Sequence, residues 1–553
     1  MNRKIFIGVA WPYVNGNLHI GHLAGYLLPA DITARFHRYL GDDVLMVSGS
    51  DCFGTPITVE AEKKGVEPQE LVDEYYPQHV ELFKKIGISF DLFTKTTTEN
   101  HKEIVQDFFL KFLDQGYIYK DTVEQYYDSK NERFLPDRYV EGECPHCGFR
   151  EARSDQCDNC GRVLDEGELK NPVSKLTDEP VEFKETEHYF LDLEKLQPFI
   201  DKYFKDASGN WRNWVREETR GWLDRGLKPR AFTRDLEWGV PLPVDKIPEE
   251  KRIKRIEHKS IYVWWEAVIG YFSASVEWAK KNNKDWKDFW YDEDSLHYYF
   301  MGKDNLPYHT MFWPGELHLY DKKLHLPDKP VINQYLNFGS KQFSKSRGVV
   351  VNSGYITEEY GVDAVRFYLT LVMPENADTS FGWSDFRERH NSITIGNLGN
   401  FFNRTLKMSQ DISVNIDALE DEVINKVEKN IEKAKKLLLE NKYRDYAQTI
   451  LDLSSFGNKY LSDKKPWKKE GQEKEGILTN GLFVCLSLQA IIKPLLIKSV
   501  EKLENITNVS FDRWPDDVEI VKNKLQDIKI TNPEGLFDKI DEEAIKKEVS
   551  KRD

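Results

Sequence analysis

The spacing of apolar residues along the chain switches between two periods. An unbroken apolar run at the start, KIFIGVA (4–10), predicts a buried strand. A polar loop carrying Pro12, Asn15 and Gly16 follows. Leu23, Leu27, Ile32, Phe36 and Leu40 then recur at helical spacing until Gly41. Pro29 falls inside that helix and predicts a kink or a split. DVLMVSGSD (43–51) returns to the strand pattern and ends in polar residues. Strand, helix and strand within about 50 residues predict a parallel α/β unit. Ligands bind such sheets beyond the carboxyl ends of the strands, where both the 11–22 loop and Asp51 fall.

Between residues 116 and 230 the pattern breaks into short pieces rich in Cys, Asp, Glu and Arg, with EHYFLDL (187–193) strand-like among them; this stretch reads as an insertion. The α/β pattern returns with SIYVWWEAVIGYFSA (260–274), LHYYFMGKD (296–304) and DKPVINQYLNFGSKQFSKSRG (328–348). Beyond residue 385 the chain is almost all helix. Tyr446, Ile450, Leu453, Phe456 and Tyr460 step by three or four and predict one buried helical face. The last stretch is charged helix or tail, and no internal repeat occurs.

Length and charge narrow the picture. A chain of 553 residues predicts three or four domains, and 40% hydrophobic content is enough for real cores. Net charge is −15, which argues against blanket nucleic-acid binding but leaves room for a local basic face. The most apolar stretch, GLFVCLSLQAII (481–492), stops at Lys493-Pro494, short of the roughly 20 residues of a bilayer span; it predicts a buried helix and no membrane partner. MNRKIFIGVAWPYV faintly imitates a signal peptide but lacks a small-residue cleavage site, so it reads as the first strand of a cytoplasmic protein. Six cysteines are too few for a disulfide framework. Cys52 is expected at a pocket edge and Cys485 inside a helix.

Three motifs carry candidate chemistry. His19-Ile20-Gly21-His22 sits between a strand and a helix. Free N–H groups at a helix start attract phosphate, Gly21 admits a planar base close to the backbone, and histidines donate to phosphoryl oxygens as charge develops. A pair of helix-capping histidines would read the same way. Ser344-Lys345-Ser346 places a compact charge between hydroxyls, suited to clamping a polyphosphate; a solvated basic turn is the plainer alternative. Cys144-Pro145-His146-Cys147 and Cys157-Asp158-Asn159-Cys160 are two C-x-x-C knuckles, each followed by glycine. Four thiolates with no open position predict a structural Zn²⁺, with His146 surplus; a redox pair or an iron–sulfur cluster is the alternative.

The histidine and lysine motifs together resemble the signature of class I aminoacyl-tRNA synthetases. WPYVNG, GSDCFGTP (49–56), YVWWEAVIGY (262–271), MGKDNLPYHTMFWP (301–314) and FSKSRG resemble the methionyl-tRNA synthetase family in order and spacing. The resemblance implies a Rossmann-like parallel-sheet α/β catalytic domain in two halves (1–115 and 231–325) around a zinc-binding insertion (116–230). A clamp-loop and stem-contact region (326–385), an all-α anticodon-binding bundle (386–520) and a charged extension (521–553) complete the expected order. The insertion is shorter than the separate editing domain of the leucine, isoleucine and valine enzymes.

It also implies the chemistry: ATP with Mg²⁺ activates L-methionine to the adenylate, and the methionyl group passes to the 3′ end of initiator and elongator methionine tRNA. His19, Gly21, His22, Ser344, Lys345 and Ser346 would hold ATP, with His19, His22 and Lys345 catalytic. Asp51 would hold the substrate ammonium. Trp11, Tyr13, Trp264, Ala267, Tyr271 and His309 would line the side-chain pocket, where sulfur–ring contacts are worth about 0.3–1.5 kcal/mol. In the bundle, Asn400, Arg404 and Trp467 would meet the anticodon. The sequence departs from the family in four places: Val268 replaces a proline, Glu266 an aspartate, Gln342 a lysine of the clamp, and Trp11 the leucine of many members. Other readings are a paralogue activating another amino acid, a small-molecule nucleotidyltransferase and a non-catalytic zinc-containing RNA-binding protein. A monomer is expected, with a separate tRNA-binding protein as an optional partner.

Overall fold

The first apolar run forms strand Lys4–Val9, buried from Ile5 onward. It is the middle strand of a five-stranded, wholly parallel sheet in the order Lys329–Asn333, Leu296–Gly302, Lys4–Val9, Asp43–Ser50, Leu92–Lys95. In register, Ile7 lies between Met46 and Tyr298. Helices cover both faces, so the strands read as continuous apolar runs rather than alternating ones. The chain runs from the middle strand to one side and reaches the other side only after residue 295. The crevice opened by that reversal lies at the carboxyl end of Lys4–Val9. The computed structural model describes residues 3–136, 139–154, 157, 159–160, 164, 167–339, 341–342 and 350–550.

The segment after the first loop is one continuous helical rod in three parts: α-helical Ile20–His22, π-helical Leu23–Leu27 and α-helical Leu28–Leu40. Pro29 neither breaks nor splits the rod. It occupies the first turn of the last part, and the π segment ahead of it relaxes the backbone where its missing N–H and ring would clash. Gly41, at φ 90°, ends the rod in the left-handed conformation that glycine adopts without Cβ strain.

The insertion is a long antiparallel hairpin, Ile118–Asp128 against Glu182–Leu191, capped by a small sheet of Val140–Glu143, Ala152–Arg153 and Lys170–Ser174. Tyr126, Leu135, Tyr139 and Val140 give this cap a core of its own. Helices Leu193–Ala207 and Asn213–Asp224 fold back onto the parallel sheet: the Trp211 indole donates to the Asp328 carbonyl (2.9 Å) and Arg212 to that of Ile332 (2.6 Å).

Helices Asp421–Leu439, Tyr443–Lys464 and Gly471–Ile492 form the core of the C-terminal bundle. Tyr446, Ile450 and Leu453 are fully buried, Tyr460 nearly so, and Phe456 sits at the rim. Gly457 admits the Phe401 ring, which a Cβ there would meet at 2.3 Å. Among the described residues, Gly471–Ile492 is the one helix long and apolar enough to cross a membrane; 94% of its apolar window is buried in the bundle, as a core helix requires. The charged C-terminal stretch is docked: Asn391 exchanges two hydrogen bonds with the backbone of Ile540 (2.8 and 3.0 Å), and helix Glu542–Ser550 follows.

Two arginines, Arg366 buried and Arg212 partly so, tie the bundle to the parallel-sheet half. Arg366 donates to the Asp31 carboxylate (2.7 Å) and to the Leu495 carbonyl (2.7 Å), while Asp31 also accepts from Arg35 and Ser89. Arg212 donates to the carbonyls of Glu375 (3.1 Å) and Asn441 (3.2 Å).

Candidate active site

The loop after the first strand and the end of the second strand are laced together. Asp51 N–H donates to the Pro12 carbonyl (2.9 Å), and Val14 N–H donates to the Asp51 carbonyl (3.0 Å). This places Trp11 and Tyr13 beside Asp51 at the crevice mouth. A cavity of about 280 Å³ opens there. Trp11, Tyr13, His19, Gly21, His22, Asp51, Trp264, Ala267 and Tyr271, nine of the residues expected in the site, line it together.

The histidine segment is braced from across the sequence. Ile20 N–H donates to the Val351 carbonyl (3.1 Å), Ser353 N–H to that of Leu18 (3.0 Å), and His19 bridges Asn352. The segment that resumes after the clamp loop therefore lies directly against His19 and Ile20. Ser344, Lys345 and Ser346 themselves lie outside the described residues. Two amides expected to be free at the helix start are engaged, Ile20 N–H as above and His22 N–H on the His19 carbonyl (2.9 Å). The rings remain as donors. His22 Nδ1 accepts from the His19 N–H (3.1 Å), which leaves the proton of a neutral ring on Nε2.

Asp51 is buried, and its Oδ1 accepts from the Phe53 N–H (3.2 Å). Burial, then the nearby Glu266 carboxyl, pushes its pKa well above the usual carboxylate range; the Phe53 bond pulls the other way. Glu266 lies inside helix Val263–Asn282, 2.6 Å from His101. Burial raises the Glu266 pKa and lowers that of His101 to about 3, so the pair is neutral. The Glu266 carboxyl donates to His101 Nε2, His101 Nδ1–H to Ser273 Oγ (2.8 Å), and the Ser273 hydroxyl to the Gly270 carbonyl (3.1 Å). That relay pins the helix carrying Trp264, Ala267 and Tyr271.

Trp11 fits because two glycines make room for it. A Cβ at Gly49 would lie 2.3 Å from its ring, and one at Gly270 would lie 2.8 Å from it. Both glycines stand in the quoted motifs, so the bulk of Trp11 is compensated locally. Val268 joins the cavity wall.

Two expectations are corrected. His309 is not a wall residue. It stands behind Tyr271, whose hydroxyl donates to His309 Nε2 (2.8 Å) while His309 Nδ1–H donates to the Asn305 carbonyl (3.0 Å). Burial lowers its pKa to about 4 and keeps the ring neutral, as that double bond requires. Its proline-flanked position in the motif could not tell a wall from its support. Cys52 is not at the pocket edge: it is fully buried, its thiol on the Ser50 carbonyl (3.2 Å), in a separate cluster with Ile57 and Leu71. Cys485 is buried in its helix as expected. The sequence reading passed over Tyr26, Gly302, Asp304, Asn305, Gln334 and Tyr335, which also line the cavity. Gly302 ends the strand Leu296–Gly302, and Asp304, Asn305, Gln334 and Tyr335 follow the carboxyl ends of that strand and of Lys329–Asn333, which was the available signal.

The four knuckle cysteines converge, their sulfurs all within 4.8 Å of one another. Cys144 Sγ and Cys160 Sγ are 3.9 Å apart, and Cys147 Sγ and Cys157 Sγ 3.6 Å. A tetrahedral ion with bonds of about 2.3 Å separates its sulfurs by about 3.8 Å, so the set can hold a metal. The turn is tight because Gly148, at φ 72°, returns its N–H to the Cys144 carbonyl (3.0 Å). A hydrogen bond from Asn159 lowers the Cys147 pKa to about 6, which favours the thiolate.

In the bundle, the Arg404 guanidinium lies over the Trp467 ring (5.4 Å to its centre), and Trp467 is 50% exposed. Asn400 turns instead to Asn458, to which its amide donates (3.1 Å).

Comparison with known proteins fits this arrangement. The family model described as class I tRNA synthetases (M) matches residues 5–406, and that of the anticodon binding domain of methionyl tRNA ligase matches 413–552. The methionine–tRNA ligase of Roseiflexus sp. (strain RS-1) is 42% identical over 529 residues, covering 92% of this chain and 88% of its own. That of Dehalococcoides mccartyi (strain CBDB1) is 40% identical over 568 residues, covering all of both. Among solved structures, Mycobacterium tuberculosis methionyl-tRNA synthetase in complex with methionyl-adenylate shares the fold, with a TM-score of 0.77 at 21% identity over 97% of this chain and 99% of that one. A family model over most of the sequence and relatives at about 40% identity along its whole length show that the chain belongs to the methionine–tRNA ligases, the methionyl family of class I aminoacyl-tRNA synthetases.

Proposed function

We propose that the cavity at the crevice is where this ligase joins methionine to ATP, with each residue in the role its surroundings suit. The observation that carries the reading is one cavity walled by His19, Gly21 and His22 on one side and by Asp51, Trp11 and Tyr271 on the other. Asp51 receives the methionine ammonium. Trp11, Tyr13, Trp264, Ala267 and Tyr271 enclose the thioether, and His309 fixes the Tyr271 hydroxyl. His19 and His22 donate to the ATP phosphates, and Gly21 lets adenine lie against the backbone.

The methionine carboxylate attacks the α-phosphate in line. A new O–P bond forms as the bond to pyrophosphate breaks. No protein nucleophile is needed; positioning and charge stabilisation do the work. Lys345, carried between Ser344 and Ser346 on the loop that ends beside His19, neutralises charge as it builds on the phosphates. Mg²⁺, bound with ATP, would supply further neutralisation there. The adenylate then passes its acyl group to the terminal ribose of methionine tRNA, while Trp467 and Arg404 meet the anticodon and Asn400, bonded to Asn458, braces the helix that carries Arg404. Cys144, Cys147, Cys157 and Cys160 would hold Zn²⁺ as a structural ion, in keeping with their spacing.

Pyrophosphate exchange with each of the twenty amino acids is the direct test. Exchange that depends on methionine alone is expected; dependence on another amino acid would reassign the substrate.

Asp51 gives a pH dependence. Its raised pKa means that the empty site takes up a proton at a higher pH than an ordinary carboxylate would, and a neutral carboxyl holds an ammonium poorly. The KM for methionine is therefore expected to rise on acidification below neutrality. A KM flat from pH 8 down through the acid range in which the enzyme stays folded would contradict the ammonium role.

Cys147→Ser is expected to lose the bound zinc, read by atomic absorption, and to open the 139–177 region to protease. Methionine-dependent exchange should persist, because no knuckle residue lines the cavity.

A further inference from the structure

Helix Asn213–Asp224 carries a feature that the reading above leaves unused. Trp222 is half-buried near its C-terminus, and two guanidiniums lie over the indole, Arg225 at 5.2 Å and Arg230 at 5.4 Å from the ring centre. Both arginines are exposed. Among the described residues, no carboxylate lies within ion-pair distance of either, although Glu217, Glu218 and Asp224 share the helix and the chain carries 93 acidic residues. A guanidinium held over an aromatic ring keeps its N–H edge free and loses little freedom on binding, which suits it to phosphate. Two such groups side by side, unneutralised in an acidic protein, are complementary to a phosphodiester strand.

The position narrows the occupant. Arg230 also lies over Phe312 (5.6 Å), Phe312 packs on Tyr308 (5.2 Å), and Tyr308 stacks on Trp264 in the cavity wall (4.8 Å). A strand on the arginines is therefore only a few ring contacts from the cavity. A cavity of about 280 Å³ admits the end of a chain, not a duplex. We infer that Trp222, Arg225 and Arg230 bind the phosphates of the unpaired 3′ end of the tRNA as it approaches the adenylate. This rests on the tRNA-charging reading above and adds a surface to it.

The test uses the full chain with Arg225→Ala, Arg230→Ala, Trp222→Leu and the charge-preserving Arg225→Lys. Methionine-dependent pyrophosphate exchange should be retained in all four, which shows that they fold and keep the adenylate site. The KM for tRNA in aminoacylation should rise several-fold in the first three and less in Arg225→Lys. The slope of log affinity against log salt should fall by about 0.7 for each arginine removed from a single-strand contact. With tRNA lacking its unpaired 3′ nucleotides, wild type and variants should bind alike. An unchanged KM for tRNA and an unchanged salt slope would overturn the inference. So would a binding defect that persists on the shortened tRNA, since the contact would then be with the stem. Failure of the wild-type protein to charge any tRNA would strike the charging reading itself and is told apart by that control.

Discussion

Replacing Lys345 or His22 with alanine is expected to slow methionine-dependent pyrophosphate exchange by about 10²–10³-fold, the usual effect of removing one positioned donor from a transition state. The two losses arise differently. Lys345, in the proposed role, would contribute a point charge to the phosphates; the chain that follows it, at Val351 and Ser353, is held against the histidine segment. His22, in the proposed role, would contribute a ring already oriented, because its Nδ1 is held against the His19 backbone, 3.1 Å from the amide nitrogen and 3.3 Å from the carbonyl oxygen. Both roles concern the phosphates and not the methionine side chain, so the KM for methionine should change little while kcat falls. Steady-state exchange at varied methionine and ATP separates the cases. A rise in the KM for methionine with kcat intact would move these residues out of the catalytic role.

Arg366→Ala is expected to lower stability by about 3–5 kcal/mol, because it leaves a buried carboxylate without its main partner. Asp31 has no exposed surface, and Arg366 is its closest charged contact at 2.7 Å. The Arg366 charge holds the Asp31 carboxyl below the usual range against the effect of burial. Arg35, half-exposed and 2.9 Å away, compensates only in part. Since the folded pKa of Asp31 is depressed, its contribution is present above the unfolded carboxylate pKa of about 3.9 and is lost as pH falls through the folded value. The deficit of Arg366→Ala measured by urea unfolding should accordingly be full at neutral pH and shrink in acid. Because Arg366 also holds the Leu495 carbonyl, the variant should loosen the bundle from the catalytic half; a cooperative single transition with an unchanged midpoint would contradict this.

The legible part of this protein was local. The strands Lys4–Val9 and Asp43–Ser50 announce themselves because burial on both faces demands continuous apolar runs, and the knuckles because two C-x-x-C turns have few other uses. Asp51 and the histidine segment could be placed in advance because a parallel sheet exposes its ligands at the carboxyl ends of its strands. Trp467 and Arg404, more than 60 positions apart in sequence, were chosen separately for the anticodon and meet in space.

What the chain order does not carry is which groups lie behind others. His309 supports Tyr271 instead of facing the cavity, and Cys52 packs away from it, because both depend on the angle at which helices settle on the sheet. The same packing lets Gly49 and Gly270 absorb Trp11, and makes Glu266 and His101 share one proton inside the core. Local sequence determined the elements and the chemistry each one carries, since backbone hydrogen bonding and apolar periodicity are short-range. Tertiary structure alone decided protonation, orientation and cavity shape, since desolvation and close contact are set by residues distant along the chain.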